Sequence, residues 1–244
     1  MSFNLPTETI ELPSKGLLYP EGHPLSNGTI EIKYMTAKEE DILTNQNYIQ
    51  NGTVIDKLLK SLIVTKFNYE ELLIGDKNAI MIASRILGYG AEYKFTYNGK
   101  EEVADLSKID NKPFDESLIT KGINEFSFKL PTSNNEITFK FLTHGDESKI
   151  NQELEGLKKL GKEGSPELTT RLKYIVTSIN GDRTTKLIRE FIDEAFLARD
   201  ARSFREYISK VQPDVDLTFF PESSTKSITL PIGISFFWPD VDLG

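Results

Sequence analysis

Two segments of the chain repeat one order of residue types, and this repeat constrains the fold more than any other feature. Residues 30–40 read IEIKYMTAKEE and residues 137–147 read ITFKFLTHGDE. In each, an alternating β-branched run leads to a threonine and then to acidic residues, which is typical of a strand followed by a capped helix. The identical positions are Ile30, Lys33, Thr36 and Glu40 in the first segment and Ile137, Lys140, Thr143 and Glu147 in the second. The repeat predicts an α+β fold.

The similarity extends along the chain in the same order. KLLKSLI at 57–63 aligns with KYIVTSI at 173–179, which pairs Ile63 with Ile179. Residues 76–106 then correspond to 200–230. We therefore predict two related strand–helix–helix–hairpin halves, with chance similarity of two α+β segments as the alternative.

Local patterns predict the individual elements. Val54 begins an apolar stripe at helical spacing, and Asp76 is a candidate cap for the following helix. Asn98-Gly99 lies between two alternating runs and favours a hairpin with a type I′ turn. Further predicted elements are a hairpin of 125–130 with 136–142, helices at 146–160, 166–179 and 184–210, and strands at 217–220 and 227–237.

Proline and glycine dominate the first 28 residues. They recur from Pro6 to Gly28 and leave no room for a long helix. We predict an extended N-terminal arm at 1–28 whose backbone is not fully paired in its own fold, a first α+β half at 29–124, and a second at 125–244 that ends in a β-hairpin.

Composition excludes several classes of protein. The 244 residues include no cysteine and carry a net charge of −8. The absence of cysteine excludes disulfide frameworks and thiolate metal sites. The negative net charge disfavours nucleic-acid binding, which usually needs a basic face. The start of the chain lacks the pattern of a signal peptide, and no apolar run is long enough to span a membrane. A soluble, globular protein is expected.

The chain offers little for catalysis. His23 and His144 are the only histidines, and Asp146, two residues after His144, would point away from it on a helix. We therefore expect Thr143 or Asp146 to cap that helix and His23 to face solvent in a turn. Acidic residues such as Glu70 and Glu71 are interpreted as solvated surface, and no phosphate-binding or calcium-binding motif is present. We predict no enzyme activity, no metal and no cofactor.

Two segments are candidates for binding a partner protein. Tryptophan and phenylalanine are enriched at interfaces, and the chain's one tryptophan lies in its densest aromatic run. The alternative for that run is a terminal strand in the core. The predicted partner-binding residues are Leu17, Leu18 and Tyr19 in the arm and Phe236, Phe237 and Trp238 in the tail.

Four segments, taken in order, resemble the baseplate hub proteins of T-even-type bacteriophages. They are LPSKGLLYP (12–20), IEIKYMTAKEEDILTN (30–45), GTVIDKLLKSLI (52–63) and LLIGDKNAIMIASRILGYGAEY (72–93). LPIGISFFWPD (230–240) is similar to the ending of that family. The resemblance implies CxxC knuckles in the hairpins, whereas 95–106 and 219–231 have no cysteine here. The hairpins would then be cysteine-free remnants of zinc ribbons, held by the Asn98-Gly99 turn and by packing among Phe95, Tyr97, Phe219 and Phe220.

The resemblance implies a late structural or assembly component of a contractile-tail baseplate hub. Its partners would be other hub or tail proteins, with the tape-measure protein as a further candidate. It would be made in the host cytoplasm and built into the virion tail. The alternatives are a tail-assembly chaperone that is absent from the finished virion and, least favoured, a tail-tip enzyme that degrades the cell wall.

Overall fold

Helices and small antiparallel sheets alternate along the chain, as the sequence predicts for an α+β fold. The computed structural model describes residues 5–160, 166–222 and 224–237. The helices are α1 (Ala37–Leu43), α2 (Gln46–Gln50), α3 (Val54–Leu62), α4 (Ile74–Tyr89), α5 (His144–Lys159), α6 (Glu167–Ile175), α7 (Thr185–Glu190) and α8 (Ala198–Val211). The strands are β1 (Thr7–Glu11), β2 (Thr29–Lys33), β3 (Glu92–Tyr97), β4 (Lys100–Asp105), β5 (Phe126–Lys129), β6 (Glu136–Phe139), β7 (Val176–Ile179), β8 (Thr218–Phe219) and β9 (Ile228–Thr229).

The N-terminal segment is part of the folded body. Strand β1 pairs antiparallel with β2, with Ile10 opposite Ile30. After β1 the Leu12 N–H donates to the Gly28 carbonyl at 2.8 Å, and the Leu12 side chain is buried. The prediction of an extended arm with unpaired backbone is therefore wrong. The proline and glycine residues form turns in a loop that closes on itself, and β1 itself exposes most of its side chains, so it lacks the apolar alternation of a strand.

The order of strand pairing repeats along the chain, in a first unit that runs from β1 to β4 and a second unit that runs from β5 to β9. The first unit pairs β1 with β2, and Ile63 after α3 bridges Ile32 on β2. In the second, β5 pairs with β6, and β7, which follows α6, pairs with β6 through Phe139 and Val176. The position equivalent to Ile63 is therefore Val176. The sequence alignment that matched Ile63 with Ile179 is three residues out of register.

A lysine–carboxylate contact also occurs in both units. Lys33 Nζ lies 2.9 Å from Glu39 Oε1, and Lys140 Nζ lies 2.8 Å from Asp146 Oδ1. Each acid is the third residue of a helix whose N-cap is a threonine, and each accepts the backbone N–H of that threonine, which forms a capping box. The predicted capping of α5 by Thr143 and Asp146 is confirmed.

Each unit ends in a hairpin, β3–β4 in the first and β8–β9 in the second. The two hairpins pack against one another through Phe95 and Phe219. Asn98 and Gly99, both at positive φ, make the predicted turn between β3 and β4. Strand β9 has only two residues, and 227–237 does not continue as the predicted strand. Pro231 and Gly233 interrupt it, since proline has no N–H for a sheet, and residues Ile234–Phe237 form a 3₁₀ turn.

One hydrophobic core extends through both units. The segment 106–124 joins them and contacts each: the Lys112 N–H donates to the Asp214 carbonyl, and the Gly122 N–H donates to the Leu17 carbonyl, both at 2.8 Å. Within the described ranges, none of the helices has the length and apolar character needed to cross a bilayer.

Candidate functional site

The predicted partner-binding residues of the N-terminal segment are mostly buried. Leu18 and Tyr19 are each 4% exposed, and Leu17 is half-buried. The prediction that these side chains are exposed is wrong. The loop after β1 folds back over α4 and places Leu18 and Tyr19 in the core. Leu18 and Tyr19 nevertheless line a surface cleft, so their outer edges lie at a candidate site.

The aromatic tail is also packed into the chain. Phe236 and Phe237 are 0% exposed, and Phe236 lies edge-on to Tyr93 with ring centroids 4.8 Å apart. The Phe236 carbonyl accepts a hydrogen bond from Arg85 Nε at 2.9 Å. Both phenylalanines therefore lie in the core, which was the alternative considered for the aromatic run. Trp238 lies outside the described residues.

The cleft lies where the two units meet and has a volume of about 690 Å³. We call it the interunit cleft. It is lined by residues 18–24, Glu70, Glu71, Leu73, Gly122, Asn124 and Thr143. The two units are joined beside it, since the Ile74 N–H donates to the Leu142 carbonyl and the His144 N–H donates to the Leu72 carbonyl. Clefts between structural units are preferred sites of ligand binding.

A buried carboxylate holds the floor of the cleft. Asp76 accepts the Ser14 N–H at 2.9 Å, the Ser14 hydroxyl at 2.7 Å and the Tyr19 hydroxyl at 2.7 Å. The Tyr19 oxygen in turn accepts the Leu73 N–H at 3.1 Å. Burial raises the pKa of Asp76, against the opposing effect of the hydrogen bonds from Ser14, and burial also raises the pKa of Tyr19. The network fixes the loop on α4.

Asp76 therefore has another role than the predicted one. The N-cap of α4 is Leu73, whose carbonyl accepts the Lys77 N–H, and Asp76 lies in the first turn. Asp200 has the corresponding place in α8, after the N-cap Leu197, and accepts the N–H groups of Thr132 and Ser133 at 2.7 and 2.9 Å. In both units an acid in the first helical turn holds the loop between the first two strands.

His23 forms one wall of the cleft. The prediction that it faces solvent is wrong, since its side chain is only 11% exposed. Its ring stacks on Tyr19 with centroids 4.8 Å apart and meets Phe67 edge-on. The Leu25 N–H donates to Nδ1 at 3.1 Å, which leaves the proton on Nε2 to be donated to Glu71 Oε2 at 3.0 Å. The contacts orient the Glu71 carboxylate at the cleft.

His144 lies behind the cleft in a charged cluster. Its Nδ1 is 3.4 Å from Lys77 Nζ and 3.7 Å from Asp56 Oδ1, and its Nε2 is 3.9 Å from Glu70 Oε1. Burial lowers the pKa of His144, while the Asp56 charge opposes this and the Lys77 charge adds to it. Asp146, as expected, does not orient this ring and instead accepts from Lys140.

The cleft presents negative charge to solvent. Glu70 and Glu71 side chains are 50% and 54% exposed, and Glu21 is exposed at the rim. Among the described lining residues there is no lysine or arginine. Nearby, Lys60 Nζ lies 3.8 Å from Glu70 Oε1. The lining therefore combines exposed carboxylates with apolar surface from Leu18, Tyr19 and Leu73.

The hairpins that lack cysteine rely partly on aromatic packing. Phe95 and Phe219 lie edge-on, with centroids 5.3 Å apart, as the sequence predicts. Phe220 does not join them, because it is 70% exposed. Within the part of the chain that the structure describes, no group of three or more His, Cys, Asp or Glu side chains is arranged to hold a metal ion.

Sequence reasoning did not find the interunit cleft. The sequence predicts Glu70 and Glu71 to be solvated surface, and both side chains are about half exposed. Their position beside the loop at 18–24 depends on the tertiary fold. No family model, curated protein or solved structure gives a significant match to the chain.

Proposed function

We propose that the chain is a structural or assembly component of a phage tail baseplate hub and acts by binding other hub or tail proteins. The observation that carries the proposal is that the segments resembling that family are joined to each other by buried or partly buried hydrogen bonds. Ser14 of segment 12–20 binds Asp76 of segment 72–93, and Glu39 of segment 30–45 accepts from Ser61 of segment 52–63 at 2.6 Å.

These polar residues support an architectural role for the resembling segments. Ser14, Glu39, Ser61 and Asp76 bond to one another or to neighbouring backbone, so they stabilise a particular fold. A fold stabilised in this way suits a protein whose task is to present a shaped surface. The acidic interunit cleft is the surface that we assign to partner binding, and its charge would repel nucleic-acid phosphates.

We also propose that the two units arose by duplication. The paired strands, the lysine–carboxylate contacts and the first-turn acids Asp76 and Asp200 support this relation. The hairpins would then be cysteine-free counterparts of zinc ribbons. The Asn98-Gly99 turn and the Phe95–Phe219 contact would supply part of the cohesion that a structural zinc gives.

A nonsense codon placed in the gene tests the function directly. In a host without a suppressor, electron microscopy of lysates should show filled heads but no complete contractile tails, and a suppressor host should restore tails. Normal tails in the non-suppressing host would refute a hub role.

In wild-type virions, mass spectrometry should detect the chain, which we place in the cytoplasm during assembly and then in the baseplate. Tails that require the chain but do not contain it would identify the assembly chaperone instead.

A further inference from the structure

We infer that the interunit cleft binds an exposed segment of a partner hub or tail protein that inserts a lysine or arginine next to an aliphatic side chain. The inference rests on the proposed function and adds the chemistry of the partner. It follows from the charge, the floor and the rigidity of the cleft.

The charge of the cleft selects for a cation. Glu21, Glu70 and Glu71 all line it, Lys60 lies 3.8 Å from Glu70 outside the lining, and the described lining contains no basic side chain other than His23. His23 is a hydrogen-bond donor to Glu71 through one oxygen, and Asn68 Nδ2 contacts the other at 3.3 Å. A carboxylate can accept more than two hydrogen bonds, so Glu71 keeps capacity for a lysine or arginine.

The floor selects for apolar surface beside that cation. Leu18, Tyr19 and Leu73 line the cleft together with the glutamates, and each is less than 10% exposed. A volume of about 690 Å³ accommodates a few side chains of an extended segment but not a folded element. A basic residue with an aliphatic neighbour can pair with the carboxylates and pack on the apolar side chains at the same time. The stem of lysine or arginine is itself apolar and adds to this packing.

The cleft is already organised in the chain alone. Tyr19 is held by Asp76, and His23 is held between Tyr19 and Glu71. Pro20 and Pro24 restrict the backbone on either side of the Glu21 turn. A preformed site loses less conformational entropy on binding, which favours recognition of a short segment.

The test uses overlapping 15-residue peptides that cover the hub and tail proteins encoded with the chain. The wild-type chain should bind peptides with a basic residue beside an aliphatic one, and replacing that residue by glutamine should abolish binding. The double variant E21Q/E71Q should bind the same peptides about tenfold or more weakly. The amide oxygen of glutamine at 71 can still accept the hydrogen bond from His23 Nε2, so the wall is retained.

The matched control is E101Q/E155Q, which removes the same charge from two exposed glutamates outside the cleft. It should bind like wild type, and all three proteins should melt at the same temperature. Equal weakening in both variants, or binding that survives loss of the basic residue, would overturn the inference.

The function and the cleft can fail separately. If intact hub and tail proteins do not bind the wild-type chain, the proposed function fails and the inference falls with it. If they bind wild type and E21Q/E71Q equally, only the cleft assignment is refuted. Self-association in sedimentation that E21Q/E71Q abolishes would place a second copy of this chain in the cleft and refute a hub partner there.

Discussion

At the scale of single residues, buried acids with several donors hold the loops and helix starts. Glu39 has a fully buried side chain and accepts from Ser61 at 2.6 Å, Thr36 at 2.6 Å and Lys33 at 2.9 Å. Burial alone would raise the pKa of Glu39, but the hydrogen bonds outweigh it and lower the pKa from 4.5 to about 2. Glu39 is therefore a strong contributor to stability at neutral pH.

The shift predicts how stability depends on pH. Because the folded chain holds the Glu39 proton less tightly than the unfolded chain, its contribution of about 3 kcal/mol is complete above pH 4.5 and is lost as pH falls towards 2. The variant E39Q should lower the free energy of unfolding at pH 7 by about 2–3 kcal/mol and show a flatter acid limb. Urea titrations at several pH values measure both quantities.

The neighbouring variant E40Q is the control, since Glu40 is exposed. It should change the free energy of unfolding by less than about 0.5 kcal/mol. An unchanged acid limb in E39Q would contradict the role given to Glu39.

At the scale of elements, close backbone packing fixes α4 against the second unit. A Cβ at Gly75 would lie 2.0 Å from the Pro213 carbonyl oxygen, which is backbone and cannot rotate away. Gly156 in α5 has nothing within 4 Å of such a Cβ. The two helical glycines therefore differ in what they allow.

The pair makes a matched test by thermal unfolding. G75A should destabilise the chain by roughly 1–3 kcal/mol or more, because α4 must move away from the segment at 213. G156A should stabilise it by about 0.5–1 kcal/mol, since alanine is the better helix former. Equal melting temperatures for G75A and wild type would show that α4 does not pack on the second unit in this way.

The sequence predicted the elements whose signals are local. The stripe of α3 and the Asn98-Gly99 turn are confirmed, because spacing and positive φ are properties of a few neighbouring residues. Strand β7 was predicted as the end of a helix. Residues 176–179 become a strand only because β6 is beside them, and that pairing joins positions about forty residues apart. The helix predicted at 184–210 is also interrupted, at Phe196 and Leu197 before α8.

At the scale of the whole molecule, two similar units share one core and meet at the acidic interunit cleft. The walls of the cleft come from residues near 20, 70, 122 and 143, which only the tertiary fold brings together. The sequence therefore points to Leu18 and Tyr19, whereas the surface that they line depends on the tertiary fold. It placed binding in an exposed arm, whereas the structure places the outer edges of these side chains in the floor of a cleft.

Hydrogen–deuterium exchange of the chain, alone and bound to a hub or tail protein, shows directly whether the interunit cleft binds the partner. Exchange should become slower on binding in peptides that cover 18–24 and 69–73, while peptides that cover the turn at 98–99 keep their rate. Protection confined to the hairpins, with the cleft peptides unchanged, would contradict the claim that the interunit cleft is where this protein meets its partner.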